Sequence, residues 1–227
     1  MEIFLPSFVE ELISWWRLNG RSFPWRTTDD PYRIFVAEVL LHRTRADSTV
    51  PVYLELINAF PTVAELSCAD ENTLLTLVSP LGLRWRTKML LEASKIVMNC
   101  YGGAIPLDKN KLLQLPGVGE YITSAVRTFS SGIRDPLIDV NTVRIISRIH
   151  GVVVSDSARR TSRMRRWYLE LLDKEGDPRI FGYAMIDLAS RICRPHNPKC
   201  ELCPVMDHCS AGKSNGWRTS GPPHSNS

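Results

Sequence analysis

Four cysteines fall within 17 residues near the C-terminal end, spaced Cys193-x6-Cys200-x2-Cys203-x5-Cys209. Thiolates clustered this closely point to a metal, and either a zinc ion or a [4Fe–4S] cube takes four of them. Structural zinc more often shows two close pairs, and only one C-x2-C occurs here. A second candidate is Asp139, a lone carboxylate between apolar neighbours in Leu137-Ile138-Asp139-Val140. It stands just before a helix, where the dipole favours an anion, and on its neighbours alone it reads as the cap of that helix. The third is Leu115-Pro116-Gly117-Val118-Gly119, set between two helical stretches. Its two glycines permit a tight turn with positive φ and a closely approachable backbone. Free amides at the helix start, Glu120, then suit a phosphate, although a plain turn between helices fits the same residues.

The elements that must position these groups read as helices. Ser7–Leu18 carries a possible capping box, Ser7 with Glu10, and an apolar stripe of Phe8, Leu12, Trp15 and Trp16. Asp30 as N-cap and Pro31 at N1 open a second helix, which runs to about His42. Further helical runs are 48–60, 71–78, 86–100, 109–114, 120–131, 141–150, 160–174 and 177–192, with Gly or Pro at nearly every junction. Period-2 alternation is almost absent, so the fold class is all-α. On the second helix Glu38 falls on the apolar side, beside Phe35 and Val39; a solvated helix glutamate is the simpler reading of such a residue. Arg159, Arg160, Arg163, Arg165 and Arg166 form a basic run that reads as a solvated face or a contributor to phosphate contacts.

The composition is that of an ordinary globular chain: 227 residues, 44% apolar, 23% charged, net charge +4. No apolar stretch is long enough to span a membrane, and the first sixteen residues lack a secretory signal's basic start. An intracellular location is therefore expected, cytoplasmic or with the nucleoid, and a disulfide framework is not. Cys68 and Cys100 read as small buried hydrophobes. The segment after Cys209, rich in Ser, Gly and Pro, reads as a disordered tail over 210–227.

The order of these features resembles one family. Leu115-Pro116-Gly117-Val118-Gly119, a helix, Gly132, then Asp139 followed by Val140-Asn141-Thr142-Val143-Arg144 is similar to the helix-hairpin-helix, Gly-Pro-Asp superfamily of DNA base-excision glycosylases. The cysteine spacing matches the cluster loop of its endonuclease III and MutY branches. The resemblance covers about residues 6–209. It implies a [4Fe–4S] cluster on Cys193, Cys200, Cys203 and Cys209, and a phosphate grip by Gly117, Val118 and Gly119. It also implies that Asp139 assists N-glycosidic cleavage by stabilising the oxocarbenium-like sugar or activating water. Arg194, His196 and Lys199 in the cluster loop would face DNA phosphates.

The lysine with which bifunctional members form a Schiff base has its counterpart here in Tyr121, which cannot make an imine, so an abasic site is the expected product. MutY-type adenine enzymes usually have serine there, and tyrosine is similar to the mismatch thymine/uracil glycosylases. Tyr121 is also readable as a packed helix aromatic. Phe23-Pro24-Trp25-Arg26 and the helix through Glu38 resemble the start of both groups. The glutamate matching Glu38 protonates the departing purine in the adenine enzymes; toward a pyrimidine it would read the base edge. Where the adenine enzymes carry Gln-Gln-Thr, this chain has His42-Arg43-Thr44. His42 and Arg43 are then expected to reach into the helix at the lesion, contacting the orphan guanine or filling the gap. Leu83 matches a wedge position and equally reads as core.

The implied architecture is two helical lobes. Residues 27–135 form a six-helix barrel with the hairpin, and 1–26 with 136–209 form the lobe of Asp139 and the cluster. DNA carrying a mismatch or deaminated base would lie between them with a nucleotide flipped out. The expected activity is a monofunctional glycosylase for thymine or uracil opposite guanine, acting as a monomer. The chain's end soon after Cys209, without the further domain of MutY enzymes, is taken in favour of this. An A/G adenine glycosylase core and a catalytically idle mismatch-sensing module are the alternatives.

Overall fold

The computed structural model describes residues 5–82, 84–153, 161–172 and 176–214. Leu83, Arg159 and Arg160, and the tail from residue 215 onward lie outside the described residues. The helices are α1 Leu5–Asn19, α2 Pro31–Leu41, α3 Ala46–Ala59, α4 Val63–Ser67, α5 Glu71–Val78 and α6 Trp85–Tyr101. They continue with α7 Lys109–Leu113, α8 Glu120–Ser131, α9 Val140–Ile149, α10 Ser162–Leu172, α11 Pro178–Arg191 and α12 Ser210–Lys213. Among the described residues there is no strand, and the protein is all-α. No helix among them is long and apolar enough to cross a membrane.

The chain divides into two compact units: residues 22–133, and 1–21 with 134–227. The sequence had suggested breaks at 26/27 and 135/136. In the central unit α2 is the axial element. Seven consecutive residues, Ile34–Leu40, are buried, so this helix is covered on every side by α8, α3 and α6. Asp30 caps it, accepting from the Tyr32 amide at 2.8 Å, and Pro31 fills the first turn where no N–H partner is needed. The Tyr32 hydroxyl donates to the Phe60 carbonyl at 2.6 Å and ties the end of α3 to the start of α2. Phe23 and Trp25 stack at 5.0 Å, and Trp25 meets Tyr53 edge-on at 5.3 Å.

In the other unit, Phe8 and Leu12 of α1 pack with Phe181 and Leu188 of α11, while Tyr168 of α10 meets Phe181 edge-on at 5.3 Å. Asp187 is fully buried, and its charge is matched: Arg21 Nε donates at 2.7 Å, the Arg21 amide at 2.9 Å and Trp16 Nε1 at 3.0 Å.

Four differences from the sequence reading have local causes. α1 begins at Leu5, two residues ahead of the Ser7 expected to cap it. α4 is too short to show periodicity, but Thr62 and Glu65 close a reciprocal capping box around it. Cys68 and Cys100 are exposed rather than buried: one caps the short α4, the other lies on the outer side of α6. The tail's first residues are α12, because Cys209 Sγ accepts the Gly212 amide at 3.4 Å and Ala211 is buried.

Candidate functional site

Asp139 is the N-cap of α9. Its Oδ1 accepts from the Asn141 amide at 2.9 Å, the Thr142 amide at 2.8 Å and the Thr142 hydroxyl at 3.1 Å. Thr142 Oγ1 in turn accepts the Asp139 amide at 2.9 Å. The capping role is therefore real, but it occupies one oxygen. Among the described residues Oδ2 accepts from Asn141 Nδ2 alone, at 2.7 Å, in a half-buried position. The carboxylate is held in one orientation by four hydrogen bonds from Asn141 and Thr142 of its own helix turn. Tyr168, fully buried, has its ionisation driven well up by that burial, so a neutral phenol underlies this end of the unit.

From Asn141 the network continues along α9. Asn141 Oδ1 accepts from Arg144 Nη1 at 3.1 Å, and Arg144 Nε donates to the Cys193 carbonyl at 2.9 Å. One turn further, Arg148 is 7% exposed and donates to Cys193 Sγ at 3.3 Å, Arg194 O at 2.8 Å and Pro195 O at 3.1 Å. The i, i+4 spacing puts both arginines on the face toward the cysteine loop. Sequence reading overlooked both, although the spacing was visible.

Cys193, Cys200, Cys203 and Cys209 line one cavity together with Arg148, Ile192, Pro198 and Met206. Burial pushes the Cys203 thiol up to about 12 and the Cys209 thiol upward as well. Among the described residues, no three His, Cys, Asp or Glu groups gather closely enough to hold one ion. His196 and Lys199 are exposed on this loop, and Arg194 Nη2 bonds Asn197 O at 3.1 Å.

The remaining candidates lie in the central unit. In the hairpin, Gly117 has φ +70°, and a Cβ there would stand 2.5 Å from Met89 Sδ of α6, so conformation and packing both demand glycine. Val118 is buried and its amide donates to Leu115 O at 3.1 Å, so neither side chain nor N–H faces outward. Gly119 differs: its φ is −98°, and an added Cβ would meet nothing within 4 Å. Neither strain nor a neighbour among the described residues explains glycine there. Tyr121, half-buried, follows in the first turn of α8, and Glu120 pairs with Lys109 at 3.0 Å.

Glu38 is 7% exposed on α2 and is not the solvated glutamate of the simpler reading. His42 is the C-cap of α2, and its imidazole meets Trp85 edge-on at 5.4 Å. Burial, then Arg43 and Arg86, hold that imidazole below its ordinary pKa, toward the neutral form. Arg43 is exposed and has φ +59°, a left-handed backbone that arginine rarely takes. Arg86, fully buried, donates to the His42 carbonyl and to Thr44 Oγ1. Sequence reading also missed Trp85 and Arg86. Of the basic run on α10, Arg163 lies over the Trp167 ring at 5.0 Å and Arg166 pairs with Glu170 at 3.6 Å.

A helical chain with a glycine hairpin feeding one helix and an aspartate capping another defines a class, and comparison supplies its name. Residues 36–169 match the model of the HhH-GPD superfamily base excision DNA repair proteins, and the chain belongs to that family. It is 40% identical over 202 residues to a thymine-DNA glycosylase of Aeropyrum pernix, covering 87% of this chain and 91% of that one. A thymine/uracil-DNA glycosylase of Pyrobaculum aerophilum is 32% identical over 206 residues, 88% and 89% of the two chains. The solved structure of a thermostable thymine-DNA glycosylase superposes with a TM-score of 0.86 at 30% identity, covering 92% of this chain and 97% of that one.

Proposed function

We propose that the protein is a monofunctional DNA N-glycosylase that hydrolyses the bond between deoxyribose and a thymine or uracil opposite guanine. The observation that carries this is Asp139: a carboxylate fixed by its own helix turn, with Oδ2 accepting from one donor among the described residues, at the position where the family's aspartate acts. The thymine and uracil relatives supply the substrate class. As the C1′–N1 bond lengthens, positive charge grows on the sugar, and a fixed anion stabilises it more than it stabilises the neutral ground state. Water adds its oxygen to C1′; the bonding electrons leave with the base, which takes up the proton. Glu38, buried and polar, reads the edge of the flipped pyrimidine. Tyr121 offers no amine, so the strand stays intact. The Gly119 amide at the start of α8 accepts the approach of a backbone phosphate, and the room around its Cα is what glycine provides. His42 and Arg43 serve the orphan guanine.

Cys193, Cys200, Cys203 and Cys209 would hold a [4Fe–4S] cluster. The all-sulfur donor set, its spread around one cavity and the Arg148 cation against Cys193 fit an anionic cube with one thiolate per iron. Such a cluster would tie together a loop too short to build a core of its own.

The test incubates labelled duplexes containing T/G, U/G, A/G and A/8-oxoguanine, with and without alkali afterwards. Cuts at T/G and U/G only after alkali are expected. Cuts confined to the A pairs would make it an adenine glycosylase, and tight binding without any cut would make it a sensing module. Cuts without alkali would remove the assignment of Tyr121.

A further inference from the structure

Arg86 joins two features that each destabilise the protein. Its guanidinium is fully buried, and among the described residues no carboxylate faces it. Nη2 makes both hydrogen bonds, to His42 O and Thr44 Oγ1, while Nε and Nη1 are buried without a hydrogen-bond partner among the described residues. An apolar side chain of similar length would fill this place without the desolvation of a charge. The two acceptors flank Arg43, the residue in the left-handed conformation. A helix ordinarily ends there on glycine. A buried cation with no carboxylate partner among the described residues, and with the Trp85 ring 6.0 Å away as its aromatic neighbour, thus holds a strained, exposed arginine in place, and such paired violations mark functional sites.

We infer that Arg86 is a positioning residue: it staples the His42–Thr44 turn from both sides so that the Arg43 guanidinium is presented in one direction, giving the enzyme its preference for the base opposite the lesion. Helix capping alone does not account for it, because a cap needs one donor to the last carbonyls and not a second bond beyond Arg43. Trp85, 42% exposed and edge-on to His42, borders the same turn.

This rests on the glycosylase reading above, so the experiment has an arm that does not. Arg86→Met, Arg86→Lys and Thr44→Val are compared with wild type on uracil opposite guanine, adenine and an abasic site, under single turnover. Limited trypsin digestion with mass spectrometry follows cutting after Arg43. Expected for Arg86→Met and Thr44→Val is at least a tenfold compression of the preference for guanine, with the rate opposite the abasic site within about threefold of wild type. Cutting after Arg43 is expected to accelerate about tenfold, and melting temperature to hold or rise for Arg86→Met. Arg86→Lys, whose ammonium ends short of the place Nη2 occupies, should fall between. Parallel loss on all three duplexes with a lowered melting temperature would make Arg86 a plain structural clamp and overturn the inference, as would unchanged cutting after Arg43. A wild type that excises nothing overturns the glycosylase reading instead, and the trypsin arm then decides Arg86 by itself.

Discussion

The division of labour between the two oxygens of Asp139 sets the sharpest prediction at the residue scale. Asn keeps an oxygen for the Asn141 and Thr142 amides, so Asp139→Asn leaves α9 capped and the fold intact. The charge that would face the sugar is gone. Alkali-revealed excision of T/G should fall by about a hundredfold or more, with duplex affinity retained in a gel-shift titration. An active Asn variant would take the chemistry away from this residue. The glycines give a contrasting pair. Gly119→Ala should leave the melting temperature within a degree or two while weakening binding to any duplex, matched or mismatched. Gly117→Ala must push a methyl into Met89 at φ +70° and should lose about 1–3 kcal/mol of stability. If the two variants behave alike, the reasoning from open space at Gly119 fails.

At the scale of elements, most of the helical order was legible. The capped, periodic segments came out with small errors at their ends: α5 and α8 begin and end where Gly, Pro and Asp punctuation put them. Residue types told less about direction. Val118 sits in the hairpin motif yet its side chain is buried. Arg86 looked like one basic residue among many; only three-dimensional closure puts it under the turn forty residues earlier. The same holds for α9, whose sequence reads as a cap and an apolar stripe. Its arginines matter because the 193–209 loop folds back onto them. From that comes a prediction for the element: Arg148→Gln removes the cation beside Cys193 Sγ and two carbonyl contacts. Chains purified without added iron should carry several-fold less visible absorption per protein than wild type, and the cysteine loop should exchange amide hydrogens faster. A spectrum and exchange pattern equal to wild type would mean that the loop holds itself.

For the molecule as a whole, pH dependence tests whether burial of neutral polar groups helps to set stability. His150 stacks on Trp167 at 4.1 Å, with Nε2 buried and unpartnered among the described residues. Arg163 lies over the same indole, and Glu170 is the acid that faces the imidazole. Desolvation outweighs Glu170 and lowers the pKa of His150 from its ordinary 6.5. The sign follows from which state binds more protons. Below 6.5 the unfolded chain protonates this histidine first, so unfolding gains as pH falls, until the folded-state pKa is also passed. Above 6.5 the group contributes no pH dependence. His150→Gln keeps a planar polar side chain without a titrating proton. Urea midpoints for wild type and variant at about pH 7.5 and about pH 5 should therefore differ in one direction. The wild type loses stability relative to the variant on acidification, and other titrating groups, common to both chains, cancel. A gap that stays constant between the two pH values would mean that His150 remains neutral throughout or is solvated enough to titrate alike in both states, and the stacked, desolvated imidazole would not be part of what acid undoes.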